Sequence, residues 1–313
     1  MALYTDIVTP AELTGYARAA LADYEARGGT ERNGMPRIGS LARFLPNRTV
    51  PSITARFVKG DSGLINVAEF RAYDAEALLS IENTARLAAR SAADAQERMR
   101  GIVLSTGKAT IDQANFKTDD DFGRAAGHTD TASALWSASD TDALGQLETY
   151  SDAYVAENGD EPGAIVMSTT VFRSLVALDQ FAVSLANGAS RRATASDVRD
   201  HIETAGLPPI YLYDRRVKVG GSMVRVMPAD EVWLLPAPVD VDAWEDTDLG
   251  ATFWGRTLTS MNADWGIEPE ERPGIVTGVY QNEKPPMGLE VIADAIGEPV
   301  LANANLSMAI TVL

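Results

Sequence analysis

The chain contains no cysteine, so disulfide bridges and thiolate metal sites are excluded outright. Histidine is almost as scarce: His128 and His201 stand alone, nothing in the sequence places them together, and a mechanism built on a histidine cluster is disfavoured. No stretch approaches the roughly 18 apolar residues of a membrane-spanning helix. The N-terminus, Met1-Ala-Leu-Tyr-Thr-Asp6, has neither the basic region nor the apolar run of a signal peptide. No membrane association is expected, and the cytosol, or release by lysis, is the expected location. Positive charge is short as well. Lysine occurs only at Lys59, Lys108, Lys117, Lys218 and Lys284, and arginine supplies most of the rest. Scarce lysine with abundant arginine and alanine matches a GC-rich coding genome. A net charge of −17 argues against gripping nucleic acid by phosphate neutralisation. It leaves room for a protein that surrounds nucleic acid without adhering to it.

What is present suffices for one large domain or two smaller ones, since 313 residues at 45% hydrophobic content can bury a sizeable core. The most informative segment is a candidate β-hairpin between Pro51 and Tyr73. One arm reads Pro51-Ser-Ile-Thr-Ala-Arg-Phe-Val58, the turn Lys59-Gly-Asp-Ser-Gly63, and the return arm Leu64-Ile-Asn-Val-Ala-Glu-Phe-Arg-Ala-Tyr73. Its faces are mixed. Ile65, Val67 and Tyr73 share a side with Glu69 and Arg71, while Leu64, Phe70 and Ala72 share the other with Asn66. An isolated hairpin is marginally stable in water. Apolar groups on both faces therefore suggest an arm completed by another molecule, the alternative being an ordinary hairpin at a domain edge.

The flanking segments extend that pattern. Thr9 and Pro10 open a short helix that runs to about Arg27, after which glycine and proline interrupt regular structure up to Pro46. Leu41, Phe44 and Leu45 are apolar residues in a segment that is not expected to bury them alone. A long helix is predicted from Asp74 to Ile102, with Leu78, Ile81, Ala85, Ala88, Ala92, Ala95, Met99 and Ile102 on one stripe. Alanine at most seam positions makes a weak coiled coil, so a helix laid across a sheet is expected instead. Further helices are expected from Ser139-Asp140 to Asn158, after a Thr169-Thr170 cap, and over about 196–205. Strands are expected at 164–168, 210–213, 217–219, 223–227 and 232–235, an α/β layer with one central sheet. Strand patterns return from Thr252 onward and end in an apolar C-terminal strand, Leu306 to Leu313.

Candidate chemistry is sparse. Gly101-Ile-Val-Leu-Ser-Thr-Gly107-Lys108 resembles a phosphate loop, but the glycine spacing is one residue too long, Ala109 replaces the hydroxyl ligand, and a helix precedes it. The acidic runs Asp119 to Asp121 and Asp240, Asp242, Asp246, Asp248 lack the register of a calcium loop and read as solvated loops. The tryptophans at 136, 233, 244, 254 and 265 are expected to anchor a core or an interface. No catalytic residue, metal site or cofactor is expected, and no enzyme activity.

The order of parts resembles a tailed-phage major capsid protein of the Hong Kong 97 fold, lambda-type branch. The residues that carry the resemblance are spread over nearly the whole chain. They are Val67-Ala-Glu-Phe-Arg71 in the arm, Ile102-Val-Leu-Ser-Thr-Gly107 before Ala109-Thr-Ile-Asp112, and Trp136-Ser137 before the helix from Asp140 to Tyr154. Gly163-Ala-Ile-Val-Met-Ser168 before Phe172-Arg-Ser-Leu175, and the tail Ala293-Asp-Ala-Ile-Gly-Glu-Pro-Val-Leu-Ala-Asn-Ala-Asn305, complete the set. None is a tight motif; specificity lies in order and spacing.

The resemblance implies an α+β fold. Its parts are an N-terminal arm (1–46), an E-loop hairpin (47–73), a P-domain with spine helix (74–134), an α/β A-domain (135–251), returning P-domain strands (252–301) and a C-terminal strand (302–313). It implies self-assembly into pentamers and hexamers of an icosahedral virion capsid, built in the bacterial host cytoplasm around double-stranded DNA bound without sequence specificity. A portal, a scaffold and a decoration protein would be partners. Leu41, Phe44, Arg56, Lys59, Asp61, Glu69 and Arg71 would make intersubunit contacts, the charged residues setting register. Some members of the family crosslink a lysine of this loop to an asparagine, for which Lys59, Asn282 and Glu283 are the candidates here, although lambda-type shells generally use non-covalent reinforcement. With the arm beginning at Met1, removal of a large N-terminal scaffolding segment is not expected. Two other readings stay open, an encapsulin-like nanocompartment shell and an uncharacterised α/β enzyme.

Overall fold

The computed structural model of the chain describes residues 2–3, 8–27, 29, 31, 34–54, 65–67, 74–113, 116–184, 189–219, 221–282 and 288–313. Helix α1 spans Pro10–Ala26 and opens with a capping box: Thr9 Oγ1 accepts from Glu12 N at 3.3 Å, and the Glu12 carboxylate accepts from Thr9 N at 3.0 Å. Helix α2 spans Asp74–Thr106, a few residues beyond the expected end, and is about 50 Å long. Its last turn is held by Arg124, whose guanidinium donates to the carbonyls of Leu104 at 2.6 Å, Ser105 at 3.0 Å and Val103 at 3.2 Å. The Leu104 and Ser105 carbonyls are orphan acceptors of a helix end, whereas Val103 also accepts from Gly107 N at 2.8 Å, and a cation there suits the dipole.

The two helices run side by side over an antiparallel sheet ordered Ala2–Leu3, Val276–Asn282, Gly288–Asp294, Ile65–Val67. Leu13 meets Ile81 and Ala85 with Val279 and Val291 beneath; Ala17 meets Ala88 and Ala89 with Ile275 and Ala293 beneath. The alanine stripe is therefore covered by a sheet and a helix, as its small residues predict. Beyond Ala89 the buried face shifts. Ala92, Ala95 and Met99 are only partly buried, while Ala93, Gln96, Glu97 and Arg100 take the inward positions.

The second body is a five-stranded sheet ordered Ile210–Leu212, Ala164–Met167, Glu231–Leu235, Met308–Thr311, Thr129–Thr131. The outer pairs are parallel and the inner two antiparallel. Its three central strands read as nearly continuous apolar runs because both faces are covered, while the edge strand Thr129–Thr131 is exposed. Ile165, Met167, Val232, Leu234, Met308 and Ile310 face a core shared with helices α3 (Ala143–Asn158), α4 (Thr169–Ala177) and α5 (Ala195–Thr204). Ala164, Val166, Trp233, Leu235 and Ala309 face the end of α2. The C-terminal strand thus lies inside this sheet. Helix α3 starts later than expected because residues 139–140 form a turn and Asp142 caps it; α4 is capped by Ser168, whose Oγ accepts from Val171 N at 3.1 Å.

A three-stranded sheet ordered Gly297–Leu301, Gly250–Arg256, Asn47–Thr54 joins the two bodies. Gly250 has φ 150°, and a Cβ there would lie 2.1 Å from the Val300 carbonyl oxygen, so only glycine fits. Gly101, the first glycine of the phosphate-loop lookalike, lies inside α2, and a Cβ there would stand 2.6 Å from Val226. It is a packing glycine, not part of a phosphate cradle.

Candidate assembly interface

The hairpin expected between Pro51 and Tyr73 is not seen as a paired unit in the described residues. Asn47–Thr54 pairs in parallel with Gly250–Arg256, whereas Ile65–Val67 pairs with Gly288–Asp294 in a different sheet. The described ends of the two arms each meet a strand far along the chain, and the rest of the expected hairpin lies outside the described residues. Residues 55–64 and 68–73, with Arg56, Lys59, Asp61, Glu69 and Arg71, lie outside the described residues, as does Glu283. Asn282 ends its strand opposite Gly288.

Leu41 and Phe44 overturn an expectation. Both are buried within the single chain, with 0% and 1% exposure, and need no neighbouring copy. A 3₁₀ turn over Leu41–Arg43, capped by Ser40, folds Leu41, Phe44 and Leu45 into the core between the end of α2 and the five-stranded sheet. The preceding segment is tied to the edge of that sheet, Leu212 N donating to the Pro36 carbonyl at 2.9 Å and Ile38 N to the Leu212 carbonyl at 3.1 Å. Proline and glycine removed regular structure here without removing burial.

At the same place lies a buried polar junction that links both long helices, the arm, the three-stranded sheet and the five-stranded sheet. Arg100 of α2 has no exposed side-chain surface. Its Nη1 stands 2.7 Å from the Glu25 carboxylate of α1 and 3.4 Å from that of Glu97. Its Nη2 donates to Asn47 Oδ1 and its Nε to Thr252 Oγ1, each at 2.8 Å. Glu97 in turn accepts from Leu41 N at 2.8 Å, Ser40 Oγ at 2.9 Å and Tyr213 Oη at 2.6 Å. Burial pushes the Glu97 carboxyl up, while Arg100 and those donors pull it back down. Burial, with the Glu97 charge, pushes the Tyr213 phenol well up, so it stays a donor. Arg215 closes the outer side, 3.4 Å from Glu97 and stacked 3.7 Å above the Tyr24 ring.

Charges removed from water hold only when they are paired and hydrogen-bonded, and here Arg100 makes four such contacts and the Glu97 carboxylate accepts from three neutral donors. The junction therefore fixes how α1, α2, the arm, the three-stranded sheet and the five-stranded sheet meet. Sequence reading missed it, because Glu97 and Arg100 look like solvent-facing residues of an alanine-rich helix. The available signal was their i,i+3 spacing opposite the drifting alanine stripe.

The remaining candidates sort plainly. Trp136, Trp233, Trp254 and Trp265 are core residues, while Trp244 is half-buried under Arg48, 3.9 Å from its ring centroid. His128 is buried and stacked on Tyr154; His201 is exposed on α5 against Phe181. Asp119 to Asp121 lie exposed on the strand Phe116–Asp121, with Lys108 2.9 Å from Asp121. Among the described residues no group of acidic and histidine side chains is placed to hold a metal ion, and no helix is long and apolar enough to cross a membrane.

An antiparallel sheet and a mixed sheet, bridged by a third and flanked by a long helix, make an α+β fold of the Hong Kong 97 capsid type. Solved structures with the same fold include a protein assigned as a prophage capsid protein of Escherichia coli CFT073. It matches with a TM-score of 0.59 at 14% identity, over 84% of this chain and 74% of its own. A phage-related protein from Bordetella bronchiseptica RB50 matches with a TM-score of 0.50 at 15% identity, over 99% of this chain and 97% of its own. No family model and no curated protein matches the sequence.

Proposed function

We propose that this chain is the major capsid protein of a tailed bacteriophage. Copies assemble as pentamers and hexamers into an icosahedral shell that encloses double-stranded DNA, with a portal, a scaffold and a decoration protein as partners. The observation that carries the reading is the fold shared with the prophage capsid protein along 84% of the chain. The role is structural, with no catalytic step and no cofactor. Two further features support it. The buried junction around Arg100 makes the chain a rigid building block, which repeated weak contacts between copies require. The net charge of −17 suits a container whose wall should not trap packed DNA. In this reading the 47–73 segment is an arm laid on a neighbouring copy, with Arg56, Lys59, Asp61, Glu69 and Arg71 setting register by paired charges.

Electron microscopy of the purified native assembly tests the proposal. Closed angular shells tens of nanometres across, filled with DNA, are expected. A monodisperse monomer at high concentration overturns it, and shells filled with protein cargo convert it to a nanocompartment. Deleting residues 59 to 64 is expected to leave folded, soluble protein that forms no closed shells.

A further inference from the structure

The hairpin made by Arg216–Val219 and Ser222–Arg225 has two unlike faces. Val217 turns inward at 2% exposure, and Val226 just beyond the hairpin packs on Gly101 of α2. The outer face carries Arg216 and Lys218, both exposed, with Met223 directly across from Lys218 and 59% exposed. Arg225, across from Arg216, is already engaged by Asp214 at 3.0 Å. Among the described residues Arg216 and Lys218 have no such partner. In a chain of net charge −17, two free cations around an exposed methionine are a feature to be explained.

A complementary surface lies elsewhere on the same chain. The 240–248 loop carries Asp240, Asp242, Glu245, Asp246 and Asp248, all exposed and without ion pairs among the described residues. Its backbone is pinned, with Asn47 N donating to the Val241 carbonyl at 2.7 Å and Val239 N to the Arg43 carbonyl at 2.8 Å. The carboxylates are therefore free while their positions are set, which lowers the entropy lost on docking.

We propose that the cationic, methionine-centred face of this hairpin docks on the acidic 240–248 loop of a second copy of this chain. The inference rests on the shell-forming reading and names a contact within it. Unlike patches on different parts of one chain can meet head to tail, the kind of contact from which closed rings of copies are built. Arginine and methionine are enriched at protein interfaces, whereas a phosphate backbone has no use for the exposed thioether. Charge complementarity also steers encounter and sets register, which a repeating ring requires.

Charge exchange tests the contact. R216E/K218E is expected to keep the wild-type circular dichroism and to raise the critical concentration for assembly by about tenfold or more, since like charges then face each other. D242K/D246K is expected to do the same. The chain carrying all four substitutions restores opposite charges across the contact and is expected to assemble near the wild-type concentration. Wild-type assembly by R216E/K218E, or a four-fold variant no better than either double variant, overturns the proposal. So does R216E/K218E that assembles normally but loses retention of double-stranded DNA at low salt, which would make the face a phosphate contact. If the wild type forms no shells, the shell reading fails separately. Sedimentation at low salt then decides the contact: head-to-tail association lost in R216E/K218E and recovered in the four-fold variant supports it, and no association overturns it.

Discussion

Arg100 on the long helix α2 and Glu25 near the end of α1 form an ion pair of 2.7 Å with both side chains shut off from water, at 0% and 2% exposure. The pair also touches Asn47, the first residue of the segment read as the intersubunit arm, since Asn47 donates to Glu25 at 2.6 Å and accepts from Arg100 at 2.8 Å. The geometry of that strand's root is thus decided inside the single chain, before any neighbour is met.

Arg100→Met leaves Glu25 a buried carboxylate without its cation and Glu97 with only Arg215, 3.4 Å away. Removing one partner of a buried pair costs about 3–5 kcal/mol. Chemical denaturation of the unassembled chain is expected to show a loss of that size. A loss below about 1 kcal/mol would mean that water or a side-chain shift replaces the guanidinium.

Asp94 makes the junction pH-dependent. Partial burial and the Glu97 charge raise its carboxyl to about 6. The charged groups facing it are Glu97 on its own helix and Arg215, 3.9 Å away, from the segment leading into the cationic hairpin. The folded value lies above the unfolded one, so the folded chain holds this proton more tightly. Its stabilising contribution is full below about pH 4 and is lost as pH rises through about 6. For a half-exposed group, solvent screening reduces the effect to about 1 kcal/mol. Asp94→Asn is expected to lack this decline, so parallel stability profiles for the two proteins between pH 4 and 7 would refute the assignment.

Arg124 caps the C-terminal end of α2 through three carbonyls. Arg124→Ala is expected to cost about 1–3 kcal/mol, and hydrogen exchange over residues 103–106 should accelerate more than exchange at the middle of the helix. Arg124→Lys recovers only part of this, because one ammonium cannot span the three acceptors as a planar guanidinium does. Equal protection in all three proteins would show that the cap is dispensable.

Phe44→Ala separates folding from assembly. Phe44 is 1% exposed inside the chain, so its truncation is expected to destabilise the unassembled protein by about 3–5 kcal/mol. Thermal unfolding of the isolated chain reads this directly. An unchanged melting temperature, with defects confined to shells, would return Phe44 to the list of intersubunit residues.

Much of the architecture was legible along the chain, because local chemistry dictates it. Thr9-Pro10 with Glu12 starts α1 where the capping box predicts, Gly159 at φ 80° ends α3, and Ala164 to Met167 is the buried strand its unbroken apolar run implies. Helix periodicity, caps and left-handed glycines act over a few residues, and a few residues suffice to recognise them. The order of these elements carried the resemblance to the capsid fold.

The tertiary structure decided which partners those elements take. Leu41 and Phe44 sit among glycine and proline, and only the approach of α2 and the five-stranded sheet creates the cavity they fill. The strands 47–54 and 65–67 each pair with a strand more than 180 residues away, partners that the sequence does not name because hydrogen-bonding edges do not record which edge will meet them. Glu97 and Arg100 look like solvent-facing residues until α1, the arm and two sheets close over them. Periodicity sets which side of an element is apolar; only the packed arrangement sets the dielectric around a charge, and with it whether that charge is a surface residue or the centre of the fold.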